Sequence, residues 1–287
     1  MIKITETARD AMQGIKYFIP TDVKIRYINT LLRCGFTTVD CGSFVSPKVI
    51  PQMADSLMVI KQLQLPEKHP ELMALVVNER GTQTAIESGR ISCLSYPFSV
   101  SPTFLKRNLN TDEAGALLQI RNMTLLTEGR SIDWVIYLSM GFGNPYGDAW
   151  SKEKAADSAY QLYKLGVRRM PLSDILGEAK PDTIYKVYEY LIKSFPEVDF
   201  GLHLHTKPSE SFVKLEAAFE AGVNSYETVI NGFGGCPTAA DEMVGNLSTQ
   251  ELMHFFESKK IQTGLQSQTI QEAAQQTVHF QNIAASK

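Results

Sequence analysis

The sequence alternates between short strand-like runs and longer amphipathic stretches, and this alternation limits the fold more than any other feature. Helical patterns separate eight runs of strand character, which cover residues 3–7, 38–41, 72–77, 91–96, 133–138, 168–172, 199–205 and 225–230. Regular alternation predicts a parallel sheet with helices packed outside it. Eight such repeats over about 250 residues are typical of a (β/α)8 TIM barrel.

The main alternative to a barrel is an open, doubly wound sheet. That fold would more often carry a glycine-rich phosphate-binding turn after its first strand, whereas this chain has Thr7-Ala8-Arg9-Asp10 there. The sequence shows no internal repeat and no proline-rich linker. We therefore predict a single α/β catalytic domain over residues 1–287, in which residues 249–287 form a helical extension beside the barrel.

Composition argues against several classes of protein. The formal net charge of −3 does not suit a nucleic-acid binder, which needs a basic surface. No apolar run reaches the roughly 18 residues of a membrane-spanning helix, and we expect no leader because no basic, apolar segment precedes the first strand. The four cysteines lack the spacing of a disulfide framework, so we expect reduced thiols in a cytoplasmic protein.

Two histidines, His203 and His205, stand at the end of the seventh strand-like run. Side chains in a strand alternate between its two faces, so both imidazoles point the same way. Two neutral imidazoles on one face make half of a metal site, although such a pair could equally be two hydrogen-bonded polar residues. The choice between these interpretations depends on what the other strand ends supply, because active sites of barrels lie there.

Several of the other strands end in charged side chains. Arg9 and Asp10 follow the first strand, Asp40 lies at the end of the second, and Asp174 follows the sixth. A carboxylate on a buried strand needs a partner, and Arg9 is the obvious one for Asp40. The Arg9-Asp10 pair could be a surface ion pair or a helix start. It could also supply a metal ligand beside a cation that stabilises an enolate.

The loop after the eighth strand carries a cysteine and an amide. Cys236 lies in the glycine-rich run 231–237, where glycines allow close approach to a ligand and a thiol is placed for chemistry. Asn246 offers an amide oxygen ten residues later. One aspartate, two histidines and one asparagine form an oxygen and nitrogen set without a thiolate. That set favours Mg²⁺ or Mn²⁺, with Co²⁺ as a substitute, over structural zinc.

These motifs resemble those of the 3-hydroxy-3-methylglutaryl-CoA lyase family. The run 230–237 is similar to the family's active-site cysteine loop, and 9–13 resembles its Arg-Asp-Gly-Leu-Gln segment. The segment 43–53, with Ser-Phe-Val-Ser-Pro-Lys and Pro-Gln-Met, and the tripeptide 144–146 also match. The resemblance extends from about residue 2 to residue 264 and implies a metal-dependent lyase on a TIM barrel.

The resemblance implies roles for individual residues. The implied ligands of a divalent cation are Asp10, His203, His205 and Asn246. It assigns Arg9 to the oxygen of an enolate and makes Cys236 a general acid or base. Asp174 matches an acid that assists proton transfer from the substrate hydroxyl. Asp40 stands where the family usually has glutamate, and its shorter side chain could move the carboxylate by about 1.5 Å.

The implied substrate is an acyl-CoA, cleaved to acetoacetate and acetyl-CoA. The residues that we assign to its binding are Gln13, Ser43, Lys48 and Asn144. Lys48, Lys106 and Arg107 are candidates for the CoA phosphates, although each could equally belong to a solvated face. Barrels of this kind are often dimers, so a homodimer is one assembly that we consider.

Some features of the chain depart from the family pattern and keep other functions open. Thr206 and Lys207 follow the histidine pair, where the family usually has Asp-Thr, and Ala11-Met12 replace Gly-Leu. The alternatives are a Claisen-type condensing enzyme acting on a 2-oxo acid, an aldolase for a small oxo acid, and a metal-binding relative that has lost activity. Claisen-type synthases usually carry extra C-terminal domains and lack the Gly-Gly-Cys-Pro loop.

Overall fold

The protein is described by a computed structural model that covers residues 2–15, 17–234 and 244–285, with the backbone alone for residues 279 and 281–285. Parallel strands form one sheet in these ranges. They are β1 (Lys3–Glu6), β2 (Thr38–Ser43), β3 (Glu71–Leu75), β4 (Cys93–Tyr96), β5 (Asp133–Ile136), β6 (Leu138–Ser139), β7 (Leu172–Asp174), β8 (Leu202–Leu204) and β9 (Ser225–Thr228).

The strands pair in the order β5-β4-β3-β2-β1-β9-β8-β7-β6. The two ends of this sheet, β5 and β6, are consecutive pieces of one run that is interrupted at Tyr137. Val135 of β5 also forms a parallel bridge with Arg169, just before β7. The sheet therefore curls into the predicted barrel, and the fifth predicted strand corresponds to β5 and β6 together.

The helices lie outside the sheet. They are α1 (Ala8–Gln13), α2 (Thr21–Leu31), α3 (Ser56–Gln62), α4 (Glu79–Ser88), α5 (Pro102–Leu109), α6 (Glu113–Leu126), α7 (Lys152–Lys164), α8 (Pro181–Ser194), α9 (Pro208–Glu220), α10 (Thr249–Ser258) and α11 (Ser267–Ala285). None of the helices within the described residues has the length and apolar character needed to cross a lipid bilayer.

One predicted strand differs from the structure in position. The sixth run was expected at 168–172, but the ladder of β7 covers Leu172–Asp174, preceded by single bridges at Arg169. Pro171 has no N–H to donate and interrupts the ladder at this point. The shift moves the strand end toward Asp174 and leaves the carboxyl end of β7 at the predicted rim.

The core occupies two layers, as expected for strands buried on both faces. A large apolar layer separates the barrel from its helices, and a smaller cluster of Met73, Cys93, Val135 and Tyr137 fills part of the barrel interior. Phe280 of the C-terminal helix α11 packs edge-on against Tyr27 of α2, with 5.1 Å between ring centroids.

Candidate active site

Three side chains that could bind a metal converge at the carboxyl end of the barrel. One ligand atom from each of Asp10, His203 and His205 lies within 4.8 Å of the others. The two imidazole rings point to the same side of β8, with centroids 5.5 Å apart. Leu204 between them is buried in the apolar layer outside the barrel. The period-two argument from the sequence therefore predicts the geometry of the pair correctly.

Hydrogen bonds fix how each histidine is oriented. Nδ1 of His205 lies 3.1 Å from the carbonyl oxygen of Val244, so it carries the proton that is donated. Nδ1 of His203 lies 2.7 Å from Oε2 of Glu227. In both rings this leaves Nε2 for a cation, and hydrogen bonds of this kind orient histidine ligands in metal sites. The nitrogen and oxygen donors fit the divalent cation that the sequence predicts.

Glu227 and Tyr137 belong to this network, although sequence reasoning missed both. Glu227 lies on β9 in register with His203, and it also accepts hydrogen bonds from the Tyr137 hydroxyl, at 3.1 and 3.0 Å. Both residues are buried. The available signal was an acidic residue inside an otherwise uncharged strand, since a buried carboxylate requires partners.

Asn246 lies beside the histidine pair. Its backbone forms an antiparallel bridge with His205, and its side-chain nitrogen donates to the carbonyl oxygen of Phe233 at 3.1 Å. The amide nitrogen is therefore committed to the protein, and the oxygen is the atom that Asn246 could offer to a metal. Thr206 and Lys207 are the residues that depart from the family pattern after the histidine pair. Thr206 is buried next to this bridge and Lys207 is exposed just before α9, so neither takes the place of one of the four predicted metal ligands.

The predicted ion pair between Arg9 and Asp40 is present. Nε and Nη2 of Arg9 lie 2.9 and 2.7 Å from Oδ2 of Asp40. Nη1 donates to Asp10 at 3.2 Å and to Gln13 at 3.0 Å, while the Gln13 amide donates to Asp10 at 2.7 Å. Gln13 therefore links the Arg9 guanidinium to Asp10, the predicted metal ligand.

Burial and the charge of Arg9 shift the pKa values of the Asp10 and Asp40 carboxyl groups in opposite directions. Burial raises the pKa of Asp40 to about 6, although Arg9 favours its charged form. Burial also acts to raise the pKa of Asp10, but Arg9 and the two imidazoles outweigh it and the pKa is lowered. Oδ1 of Asp40 has no hydrogen-bond partner among the described residues. Asp10 is thus held as the carboxylate that a cation needs.

The pKa values of the two histidines are also shifted, one upward and one downward, by burial and neighbouring groups. Burial lowers the pKa of His205, and the neighbouring His203 lowers it further. For His203, burial acts to lower the pKa, but the hydrogen bond and charge of Glu227 outweigh it and the pKa is raised. The neutral form of His205 is therefore favoured, which is the form that binds a metal.

A cavity of about 340 Å³ opens above these groups. Arg9, Asp10, Gln13, Tyr137 and His203 contribute polar atoms to its lining. Much of the remaining wall is apolar and comes from the loop after β2, the end of β3 and helix α5. The arrangement can hold a divalent cation next to a fixed guanidinium, in a cleft with room for a small organic substrate.

Asp40, His205 and Asn246 lie beside this cavity without lining it, and four residues with predicted substrate or proton-transfer roles also lie outside its lining. Ser43 accepts a hydrogen bond from the backbone of Val45, and Lys48 is exposed. Asn144 uses both amide atoms within its own turn, accepting from Tyr146 and Asp148 and donating to the carbonyl of Asp148.

The fourth of these residues is Asp174. Its carboxylate accepts from the backbone N–H groups of Gly177, Glu178 and Ala179, at 3.0, 3.3 and 2.8 Å. Short polar side chains near loops often serve their own backbone in this way. The assignments of Ser43, Lys48, Asn144 and Asp174 stay predictions.

Cys236 lies outside the described residues. The structure does describe the start of its loop, where Gly234 has a φ of +77° and packs against α1. A Cβ atom at Gly234 would lie 2.4 Å from the carbonyl oxygen of Ala11, next to Asp10. Only glycine fits this close approach, so the loop starts against the helix that carries the predicted metal ligand.

The family comparison agrees with the geometry. The HMGL-like family model matches residues 1–277. The chain belongs to the HMGL-like family. This membership confirms the resemblance to 3-hydroxy-3-methylglutaryl-CoA lyases that the motifs indicate.

Relatives in this family cover most of the chain. It is 29% identical to hydroxymethylglutaryl-CoA lyase YngG of Bacillus subtilis over 266 residues, 93% of this chain and 88% of the relative. It is 30% identical to the mitochondrial hydroxymethylglutaryl-CoA lyase of Mus musculus over 275 residues, 95% of this chain and 83% of the relative. The solved structure of an HMG-CoA lyase from Acinetobacter baumannii with coenzyme A and 3-methylmalate has a TM-score of 0.90 at 26% identity, covering 98% of this chain and 91% of the other.

Proposed function

We propose that this chain is a divalent-metal-dependent carbon–carbon lyase that cleaves 3-hydroxy-3-methylglutaryl-CoA, or a close 3-hydroxyacyl-CoA, to acetoacetate and acetyl-CoA. The observation that carries the proposal is the cluster of Asp10, His203 and His205 in an HMGL-like fold, beside a cavity that Arg9, Asp10 and His203 line. Relatives named for this activity, and one solved with coenzyme A, support the choice of substrate.

Asp10, His203, His205 and Asn246 are the residues that would hold the cation, which when bound would lower the pKa of the substrate hydroxyl. We propose Mg²⁺ or Mn²⁺ because the donors are oxygen and nitrogen atoms. Glu227 and the carbonyl of Val244 keep both imidazoles in the orientation that presents Nε2. Gln13 holds the Asp10 carboxylate in place through its amide.

Arg9 is the group that we assign to the thioester oxygen. The bonds to Asp40, Asp10 and Gln13 use Nε, both Nη1 hydrogens and one Nη2 hydrogen. A guanidinium has five N–H groups, so one Nη2 hydrogen is left to point at a developing enolate. Because the rest of the guanidinium is fixed, little reorganisation is needed when negative charge appears on that oxygen.

Cleavage then follows as a retro-aldol reaction of the 3-hydroxyacyl thioester. The hydroxyl of the substrate loses its proton, the bond between carbons 2 and 3 breaks, and the electron pair passes to the thioester as an enolate. We assign Cys236 to the return of one proton to carbon 2. Both ring nitrogens of His203 have other roles, so we assign the first proton transfer to Asp174. Its carboxylate also accepts three backbone hydrogen bonds from the loop after β7.

The experiment that tests the proposal is acetoacetate release from 3-hydroxy-3-methylglutaryl-CoA. We expect release that EDTA abolishes and that falls by about 10²- to 10⁴-fold in Cys236→Ala, as for loss of a proton-transfer group. Cys34→Ala is the matched control, because Cys34 is buried three residues after α2 and its thiol donates a hydrogen bond to the carbonyl oxygen of Thr30. Binding of Mn²⁺ without any thioester cleavage would contradict the proposal.

The same assay separates the alternatives. Incubation with acetyl-CoA and a 2-oxo acid would detect a Claisen-type condensation, and turnover of a free oxo acid without the thioester would indicate an aldolase. We also propose a single catalytic domain in the cytoplasm and a homodimeric assembly, with no affinity for nucleic acid or membranes. The three cysteines of the described residues are free and buried, which supports a reducing compartment.

A further inference from the structure

The active-site cavity is lined by both polar and apolar side chains. Beside the charged groups, three apolar side chains form part of the wall: Leu75 at the end of β3, Phe104 on α5 and Ile175 just after β7. They keep 7%, 6% and 8% of their surface exposed. Since all three line the cavity, this small remaining surface is where a bound molecule would meet them. We call these three residues the apolar wall.

Other apolar side chains support the apolar wall from behind. Phe104 and Ile175 form one buried cluster with Met140, and Leu176 packs against it. Val45 and Ile50, from the loop after β2, add further apolar side chains to the lining. Asn108, Ser139 and Ser173 add polar groups to the same lining, but Phe104 and Ile175 present a surface backed by a buried hydrophobic cluster, of the kind that binds the apolar part of a ligand.

No free cation faces this wall among the described lining residues. Within residues 2–15, 17–234 and 244–285, Arg9 is the only lysine or arginine in the lining, and Asp40, Asp10 and Gln13 already hold it. A carboxylate placed against the apolar wall would be desolvated without a partner, which is unfavourable. The wall therefore suits an alkyl group, and the charged and hydroxyl groups of a substrate belong on the polar side.

We propose that the preferred substrate carries, at carbon 3, an alkyl chain longer than methyl that contacts the apolar wall. This inference rests on the proposed lyase function and names its substrate class. The chemistry is the same: the hydroxyl loses a proton, the bond between carbons 2 and 3 breaks, and carbon 2 gains a proton. The products are acetyl-CoA and a 3-oxo acid that bears the longer chain.

The test is a series of 3-hydroxy-3-alkylglutaryl-CoA thioesters with methyl, ethyl, propyl and butyl groups. Each buried methylene contributes about 0.8 kcal/mol, so kcat/KM is expected to rise about fourfold per added carbon until the wall is covered. A flat or falling profile with the methyl substrate active would overturn this inference alone. No cleavage of any thioester, the methyl one included, would instead contradict the proposed function.

A variant of the wall gives a second readout. Ile175→Thr keeps the branched shape but places a hydroxyl in the wall, so the butyl-to-methyl ratio of kcat/KM should fall about fourfold or more. Ile192→Thr, on the partly buried face of α8, is the matched control and should leave this ratio unchanged. Thermal unfolding of both variants shows whether they fold.

The pantetheine arm of CoA is the competing occupant of the wall. If it lay there, Ile175→Thr would weaken binding of CoA itself and leave the chain-length ratio as in the wild type, which would overturn the inference. We expect the reverse, with the dissociation constant of CoA unchanged and the ratio altered.

Discussion

The hydrogen bond from His203 to Glu227 gives the most detailed prediction about the metal site. The Glu227 carboxylate lies 2.7 Å from Nδ1 of His203 and also accepts a hydrogen bond from the Tyr137 hydroxyl. All three side chains are buried. A hydrogen bond to a charged group contributes about 1.5–3 kcal/mol, against about 0.5–1.5 kcal/mol for a neutral pair. The carboxylate therefore holds the ring more firmly than an amide could.

Two substitutions separate the charge of Glu227 from its shape. Glu227→Gln can keep a neutral hydrogen bond to His203, so the loss of about 1 kcal/mol should weaken Mn²⁺ binding about fivefold. Glu227→Ala removes the acceptor and frees the imidazole to rotate or change tautomer. Loss of such a partner typically costs 10- to 100-fold in metal affinity, and we expect a value in that range.

The assay is the dissociation constant of Mn²⁺, measured from the electron paramagnetic resonance signal of the free ion at one fixed pH. Glu220→Gln, an exposed position at the end of α9, is the matched control and should bind Mn²⁺ like the wild type. Tyr137→Phe keeps the bond between Glu227 and His203, so its effect should be smaller than that of Glu227→Ala. If Glu227→Ala bound Mn²⁺ as tightly as the wild type, the carboxylate would not orient His203 and the reasoning would fail.

Three further predictions concern catalysis and stability. Asp174→Asn should lower kcat about 10²-fold or more while leaving Mn²⁺ affinity unchanged; an unchanged kcat would limit Asp174 to a loop contact. Burial raises the pKa of Glu6 from 4.5 to about 8, so its contribution to stability is complete below pH 4.5 and is lost as the pH rises through 8. Urea denaturation should show this decline, about 1.4 kcal/mol per pH unit between 5 and 8, in the wild type but not in Glu6→Gln; equal slopes would count against it. Mn²⁺ at one hundred times its dissociation constant should raise the free energy of unfolding of the wild type by about 2.7 kcal/mol and that of Asp10→Asn by much less. Equal stabilisation of the two proteins would place the ion elsewhere.

The sequence was sufficient to predict the barrel and the convergence of Asp10, His203 and His205. Alternation of strands and helices determines the class of fold, and active residues of a barrel follow strand ends. Together these rules place Asp10 with His203 and His205, and they pair Arg9 with Asp40, although these residues are far apart in the chain. Periodicity is a local property, so it can be read from one strand at a time.

The residues that sequence reasoning missed depend on contacts between distant segments. Tyr137 and Glu227 meet only because β9 and the interrupted fifth strand face each other inside the barrel. Asn144 and Asp174 were interpreted as substrate or proton-transfer groups, but their polar atoms bind their own loops. A short polar side chain beside a loop can serve either purpose, and its sequence context does not distinguish them.

The hydrogen bonds of Gln13 follow from its spacing in the sequence. It lies three residues after Asp10 and four after Arg9. These are the spacings at which side chains on a helix face each other. Its bonds to both residues follow from that local geometry, so its support of the metal ligand was predictable once α1 was recognised as a helix.

Our main proposal is that Asp10, His203 and His205 hold a cation for carbon–carbon bond cleavage. Its most direct test is the stoichiometry of products from 3-hydroxy-3-methylglutaryl-CoA in metal-depleted protein titrated with Mn²⁺. We predict equal amounts of acetyl-CoA and acetoacetate, rising with Mn²⁺ occupancy in the wild type and absent in His205→Ala. Equal product formation in the depleted protein, or in His205→Ala, would contradict the claim.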